Sequence, residues 1–323
     1  DQSIVVDDVV KTYGNFRALD GISFEVEPGE IVGFLGPNGA GKTTTMKILT
    51  SFMSATEGTA SVAGFDVHEQ PEEVRKRTGY LPENVPLYEG MITHDYLRFI
   101  AEVRGIPRPD RPAQIDRVVE LTGLEDVIHR EIFELSKGYR QRVGLAQAII
   151  HQPEVIILDE PTTGLDPNQI VDIRDVITGI GEDKTIILST HILQEVSAVC
   201  DRVVIINEGE IVADDTLEEL EEVVAESEPG LRVSFAGDLS SDKRAELLEG
   251  IEGVESVVEE PGRHKEHVFR IETSDEETVR KALFQVEAEH EHGLTGLSRV
   301  TPTLEDVFRL FTEGRTEENR STG

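Results

Sequence analysis

The sequence is almost free of cysteine. Cys200 is the one such residue in 323, so neither a disulfide framework nor a cysteine-rich zinc site can be built within one chain. That usage suits a reducing, cytosolic compartment. Long hydrophobic runs are missing too: none approaches the roughly 18 residues of a membrane-spanning helix. The start has no basic segment leading into an apolar one, so neither a signal peptide nor direct membrane insertion is expected.

Positive charge is scarce. Lys and Arg number 31 against 64 Asp and Glu, a formal net charge of −33. The excess is spread along the chain rather than held in an acidic tail, which argues against a nucleic-acid partner. It fits a surface adapted to molar salt, where a Debye length of about 3 Å screens the self-repulsion.

At this length two unequal domains are expected, each with its own core. The β-branched runs "EIVGFL", "EVIIL", "KTIIL" and "RVVII" read as strands buried on both faces, as in an α/β parallel sheet covered by helices. Ligands of such sheets bind at the carboxyl ends of the strands, and three of these ends carry candidate chemistry: Lys42, Glu160 and His191. Helical patterns fill Asp95–Arg104, Ala113–Leu121, Ser136–Ile150 and Gln169–Ile177. A charged helix in "DDTLEELEEVVAESEPG" ends in a Pro-Gly break near Pro229, taken as the domain boundary. Beyond it the order βαββαβ, then a last helix from "TPTLEDVFRLF", predicts a small α+β ferredoxin-like domain over 229–323.

"GPNGAGKT", from Gly36 to Thr43, satisfies G-x-x-x-x-G-K-[ST] between a strand and a helix. Gly36, Gly39 and Gly41, with Pro37, Asn38 and Ala40 between them, let the backbone curl so that its N–H groups face phosphate oxygens. Lys42 then reaches the β and γ phosphates, the Thr43 hydroxyl ligates Mg²⁺, and Thr44 continues the helix start. "VIILDE" puts Asp159 and Glu160 at a buried strand end. There Asp159 can hold Mg²⁺ through its hydration shell, and Glu160 can act as general base or orient the attacking water. His191, after "ILST", can hydrogen-bond the γ-phosphate or that water; alone it would be a weak signal, since most single histidines are structural or exposed.

"GPNGAGKTT", "LSKGYRQR", "ILDEPTTGLD" and "STH", in this order and spacing, resemble the ATP-binding cassette of ABC transporters over about residues 4–220. The resemblance implies a P-loop NTPase cassette over 1–228, with a parallel sheet core, an antiparallel β subdomain and a helical subdomain at about 84–150. It implies Tyr13 stacking on adenine, Asp166 at a dimer seam and His191 as a switch histidine. It further implies two cassettes paired head to tail, so that Ser136, Lys137, Gly138 and Tyr139 of one cap the ATP held by the other.

Two departures stand out. The usual LSGGQ carries Lys137 and Tyr139 at its third and fifth positions; Lys137 could add charge toward a phosphate or point to solvent. Glu83 in "GYLPEN" replaces a glutamine usually found near Mg²⁺, which a carboxylate can still ligate. The segment from Asn84 to Gly105 is where the family receives a cytoplasmic helix of the membrane subunit, with Leu87, Tyr88, Met91 and Phe99 as groove candidates that could equally be core. "GYLPENVPLY" and "TLEDVF" are similar to the subgroup serving ABC-2 type exporters, including gliding-motility and copper-enzyme-maturation relatives. The expected protein is therefore an ATPase on the cytoplasmic face of the membrane, bound to an ABC-2 type permease and paired with a second cassette. The alternative is a soluble cassette ATPase acting on ribosomes or DNA. A single P-loop, and the lack of room for a long coiled coil between P-loop and signature, weigh against it.

Overall fold

In the computed structural model the described residues are 2–181, 184–227, 230–236, 240–261, 267–273, 275–290, 293–300 and 308. They fall into two compact units, Asp1–Leu217 and Glu218–Leu310. The division lies at the head of the acidic helix; the Pro229 break, and the terminal helix apart from Phe308, lie outside the described residues.

The first unit is built on a six-stranded sheet. Its strands are β3 (Ile31–Leu35), β6 (Thr78–Leu81), β7 (Val155–Asp159), β8 (Thr185–Thr190), β9 (Arg202–Asn207) and β10 (Glu210–Asp215), in the order β10-β9-β3-β8-β7-β6. Neighbours pair in parallel except at β10, which runs antiparallel to β9. The four apolar runs read from the sequence are β3, β7, β8 and β9. Strand pleating divides each between two cores: Ile156 and Leu158 of β7 face one, Val155 and Ile157 the other. The first core takes α5 (Lys137–Ile149) and α6 (Pro167–Gly181) through Val143, Leu145, Ile149, Ile173 and Ile177. The second takes α1 (Lys42–Leu49) through Met46, Ile48 and Leu49.

Beside this sheet lies an antiparallel one, β2-β1-β4-β5, formed by β1 (Ile4–Tyr13), β2 (Phe16–Val26), β4 (Glu57–Val62) and β5 (Phe65–Asp66). The helical segment comprises α3 (Thr93–Val103), α4 (Arg111–Thr122) and α5. Helices α3 and α4 begin slightly earlier than the sequence pattern indicated, and α6 extends beyond Gln169–Ile177 at both ends. Pro112 lies in the first turn of α4 and Pro167 opens α6. Proline is tolerated in a first turn, where its missing N–H has no partner to lose, so these prolines belong to the helices they precede in the hydrophobic pattern. Among the described residues no helix is long and apolar enough to cross a membrane.

Against Gly33 of β3 sits α7 (Leu193–Val199), followed by Cys200, which packs against the first core. A Cβ at Gly33 would meet Val196 Cγ1 at 2.7 Å and Cys200 Sγ at 3.1 Å, so glycine is what allows this close approach.

The second unit begins with α8 (Leu217–Ser227). Its sheet has the order β12-β13-β11-β14, formed by β11 (Gly230–Phe235), β12 (Ser256–Glu260), β13 (His267–Glu272) and β14 (Leu294–Arg299), with every pairing antiparallel. Helix α9 (Ser241–Glu249) links β11 to β12, and α10 (Glu276–His290) lies between β13 and β14. Leu231, Val233, Phe235, Leu248, Phe269, Ile271 and Val279 form its core.

Candidate functional site

Four strands of the parallel sheet deliver the candidate residues at their carboxyl ends: β3 leads into Gly36–Gly41, β6 to Glu83, β7 to Asp159 and Glu160, and β8 to His191. The P-loop must lie flat against β9. A Cβ at Gly36 would collide with the Ile206 carbonyl oxygen, and Gly41, at φ 115, leaves no room for one beside Leu19 and Ala18. The loop closes on its own lysine: Lys42 Nζ donates to the Gly36 carbonyl at 2.7 Å and to the Pro37 carbonyl at 3.1 Å. The same ammonium lies 3.3 Å from Glu160 Oε1, and both side chains are buried.

Glu160 is held at every point. Its N–H donates to Ser189 O and Ser189 Oγ, each at 3.1 Å. Its Oε2 accepts from Thr163 Oγ1 at 3.0 Å and lies 2.8 Å from His191 Nδ1. Its backbone sits at φ 51, a region costly for a residue with a side chain, by about 1–3 kcal/mol. Strain of this kind persists where surrounding contacts over-determine it.

Asp159 is 1% exposed. Its Oδ1 accepts from Ser189 Oγ at 2.6 Å and from Thr43 Oγ1 at 3.2 Å, while its buried Oδ2 has no hydrogen-bond partner. Burial pushes the Asp159 carboxyl above its ordinary range; the Ser189 and Thr43 hydroxyls pull it back, and the charges of Glu160 and Glu83 push it up again. An unpartnered buried carboxylate oxygen beside a threonine hydroxyl is what a hard divalent cation needs as ligands. Thr43, Asp159 and Glu83 therefore fit Mg²⁺.

A cavity of about 450 Å³ joins these groups. Tyr13, Phe16 and Ala18 line it together with Asn38, Gly39, Gly41, Lys42, Thr43 and Thr44 of the P-loop and helix start, and with Glu83, Glu160, Thr163 and His191. Gly36, Pro37 and Ala40 lie behind it: the first two lend their carbonyls to Lys42, and Ala40 packs in the core. Tyr13 Oη donates to Met53 Sδ at 3.1 Å, and Lys11 Nζ lies 5.5 Å from its ring centroid.

Ser136, Lys137, Gly138, Tyr139 and Asp166 are not in this cavity. Ser136 caps α5, its Oγ accepting from the Tyr139 N–H at 3.3 Å. Gly138 sits under Gln169, where a Cβ would meet Gln169 Cδ at 2.9 Å. Lys137 is exposed, and its ammonium lies over Gly164, so closely that a Cβ there would strike it. Asp166 Oδ1 accepts from the N–H groups of Asn168 and Gln169, at 3.1 and 3.0 Å, and caps α6.

Of the groove candidates, Leu87 and Met91 pack partly buried against the first core, while Tyr88 and Phe99 are exposed and stack on each other at 5.6 Å. A separate cavity of about 530 Å³ lies nearby, with Phe52, Tyr80, Ile100, Val103 and Arg104 in its wall. The sequence reading missed Phe52 and Val103, in the main cavity Phe16 and Thr163, and behind it the buried Ser189. Phe16 stands just across a Gly14-Asn15 turn from Tyr13, which is the one signal that could have marked it.

Residues 19–163 match the family described as ABC transporter. The ABC transporter ATP-binding protein NatA of Bacillus subtilis (strain 168) is 39% identical over 208 residues, covering 64% of this chain and 85% of that protein. The linearmycin resistance ATP-binding protein LnrL of the same organism is 28% identical over 317 residues, covering 96% of this chain and 98% of its own. A solved structure described as an ATP binding subunit of an ABC transporter superposes with a TM-score of 0.62 at 31% identity, covering 68% of this chain and 92% of that one.

Proposed function

This chain belongs to the ABC transporter ATP-binding family, whose members hydrolyse ATP to power transport, and on that premise we propose that it drives an ABC-2 type exporter as one half of a head-to-tail dimer. The observation that carries the reading is the convergence of Lys42, Glu160 and His191 on one cavity beside the unpartnered Asp159 Oδ2. Tyr13 and Phe16 offer the adenine a stacking surface, and the P-loop N–H groups with Lys42 hold the phosphates. Thr43, Asp159 and Glu83 hold Mg²⁺, which when bound neutralises phosphate charge. Glu160 orients a water and takes its proton as the water oxygen bonds to the γ-phosphorus; the bond to the bridging oxygen breaks, leaving ADP and phosphate. His191, 2.8 Å from Glu160, fixes that carboxylate and reaches the cavity.

The exporter direction is supported by the near full-length likeness to a resistance protein, which extends through the second unit. We read that unit as ferredoxin-like, supported by its βαββαβ order and antiparallel sheet. The placement of Ser136 and Gly138 outside their own chain's cavity supports a role on a second copy's ATP. The cavity walled by Phe52, Tyr80, Ile100 and Val103 offers a permease helix a seat, which would hold the chain on the cytoplasmic face of the membrane. The surface charge of −33 is read as adaptation to high salt.

The test is turnover and co-purification. Glu160→Gln is expected to slow hydrolysis by about 10²- to 10⁴-fold, Lys42→Ala to weaken ATP binding, and the native chain to bring a permease with it from solubilised membranes. Wild-type turnover in Glu160→Gln would remove the assignment of the base.

A further inference from the structure

Behind the catalytic pair lies a carboxylate that touches neither nucleotide cavity nor solvent. Glu195, in the first turn of α7, is 4% exposed. One of its oxygens accepts from Thr162 Oγ1, the other from Thr190 Oγ1 at 2.7 Å. Thr162 and Thr190 are themselves buried, and Thr190 Oγ1 in turn accepts from the Ile192 N–H at 3.0 Å. Thr162 belongs to the loop that leaves Glu160; Thr190 is the last residue of β8, directly before His191.

From this geometry we infer that Glu195 is a positioning residue for hydrolysis, clamping the Glu160 loop to the His191 loop so that the two side chains meet. The inference rests on the proposed roles of Glu160 and His191. Burying a carboxylate is costly, and an apolar side chain of similar size commonly serves packing as well or better. What the carboxylate adds is two acceptors pointing to two different segments. The segments need such a tie, because Glu160 occupies a strained φ of 51 and no strand pairing extends past Asp159 and Ser189 to hold Glu160 against His191. With the clamp in place the 2.8 Å contact between them is set from behind; without it, Ser189 still anchors the Glu160 N–H, but the loop beyond is free to drift. A displacement of about 1 Å at reacting groups can cost on the order of 10²-fold in rate.

The test uses the full chain. Thr162→Val and Thr190→Val keep side-chain shape and remove one hydroxyl each. Each is expected to lower kcat by about 10-fold or more with KM for MgATP within about twofold, and Glu195→Ala to lower it further. Glu195→Gln, which can accept one hydroxyl bond and donate to the other threonine, is expected to recover part of the loss. In a Glu160→Gln background, with residual hydrolysis followed over hours using radiolabelled ATP, Glu195→Ala is expected to add little, because its effect passes through Glu160. Unchanged kcat in both threonine variants would overturn the inference, as would an equal additional loss in the Glu160→Gln background, which would signal general damage to the fold. Should Glu160→Gln itself turn over at the wild-type rate, the reading of the site fails instead, and the two failures are told apart by that one control.

Discussion

His191 Nδ1 and Glu160 Oε2 lie 2.8 Å apart, and the other oxygen of the same carboxylate is 3.3 Å from Lys42 Nζ. The group proposed as base is therefore paired with the group proposed to hold the phosphates. A phosphate on Lys42 would compete with this pairing, which would work against binding. Glu160→Gln removes that competing charge. If the pair contributes on the order of 1 kcal/mol, ATP affinity should rise about fivefold while turnover falls. Equilibrium binding of ATP to the two proteins checks this, and weaker binding by the variant would mean the pair does not compete with nucleotide.

The signature helix can be tested by association. Ser136 does not line its own chain's cavity, so Ser136→Arg should leave ATP affinity of a single subunit nearly intact while hydrolysis and ATP-dependent pairing fall together. In a Glu160→Gln background trapped with ATP, mass in solution reports the dimer directly. A dimer that survives Ser136→Arg unchanged would end the head-to-tail reading.

His151 carries a pH dependence of known sign. Burial, then the Arg104 charge, push its imidazole down to about 4, against the opposing effect of its contact with the Thr78 carbonyl. Between about pH 6.5 and 4 the unfolded chain binds a proton there that the folded one does not, so stability falls on acidification through this window, by at most about 3 kcal/mol. Since many carboxylates titrate nearby, the measurement is a difference: from pH 7 to pH 5 the wild type should lose more in Tm than His151→Gln. Equal losses would contradict a depressed imidazole.

The charge of −33 predicts the response to salt. Dilution from molar KCl to 0.01 M lengthens the Debye length from about 3 to about 30 Å, and like charges then repel across the surface. Tm should fall steadily along that series. A flat profile would leave the acidity without a salt-adaptation role.

The sheet was legible because β3, β7 and β8 are apolar on both faces, and a run such as "VIILD" leaves few other ways to be buried. The candidate site was legible where chemistry stands at a strand end: Lys42, Asp159, Glu160 and His191 were marked by the rule that ligands collect there together with the P-loop spacing. Ser189, Thr163, Thr162 and Glu195 were not, because their meaning lies in partners brought together by folding. A threonine or a glutamate in a helical pattern looks the same whether it faces solvent or ties two loops. The contact of Lys137 with Gly164 was hidden for a similar reason, since Gly164 is distant in sequence and marked only by its missing side chain. The prolines of α4 and α6 hid the helix starts because the hydrophobic pattern begins after them.

The packing of Cys200 against Gly33 has a practical consequence. Burial raises the Cys200 thiol far above its ordinary pKa, with the Asp201 and Glu195 charges adding to the effect, so the thiolate that reacts with electrophiles is scarce at neutral pH. A cysteine introduced at an exposed position of the signature turn or the P-loop rim would outcompete it for a maleimide dye. The half-buried Cys200 is thus expected to give the wild-type chain a low background in single-site labelling, checked by its own maleimide uptake, so that the distance between two labelled copies could be followed through an ATP cycle without first removing a native thiol.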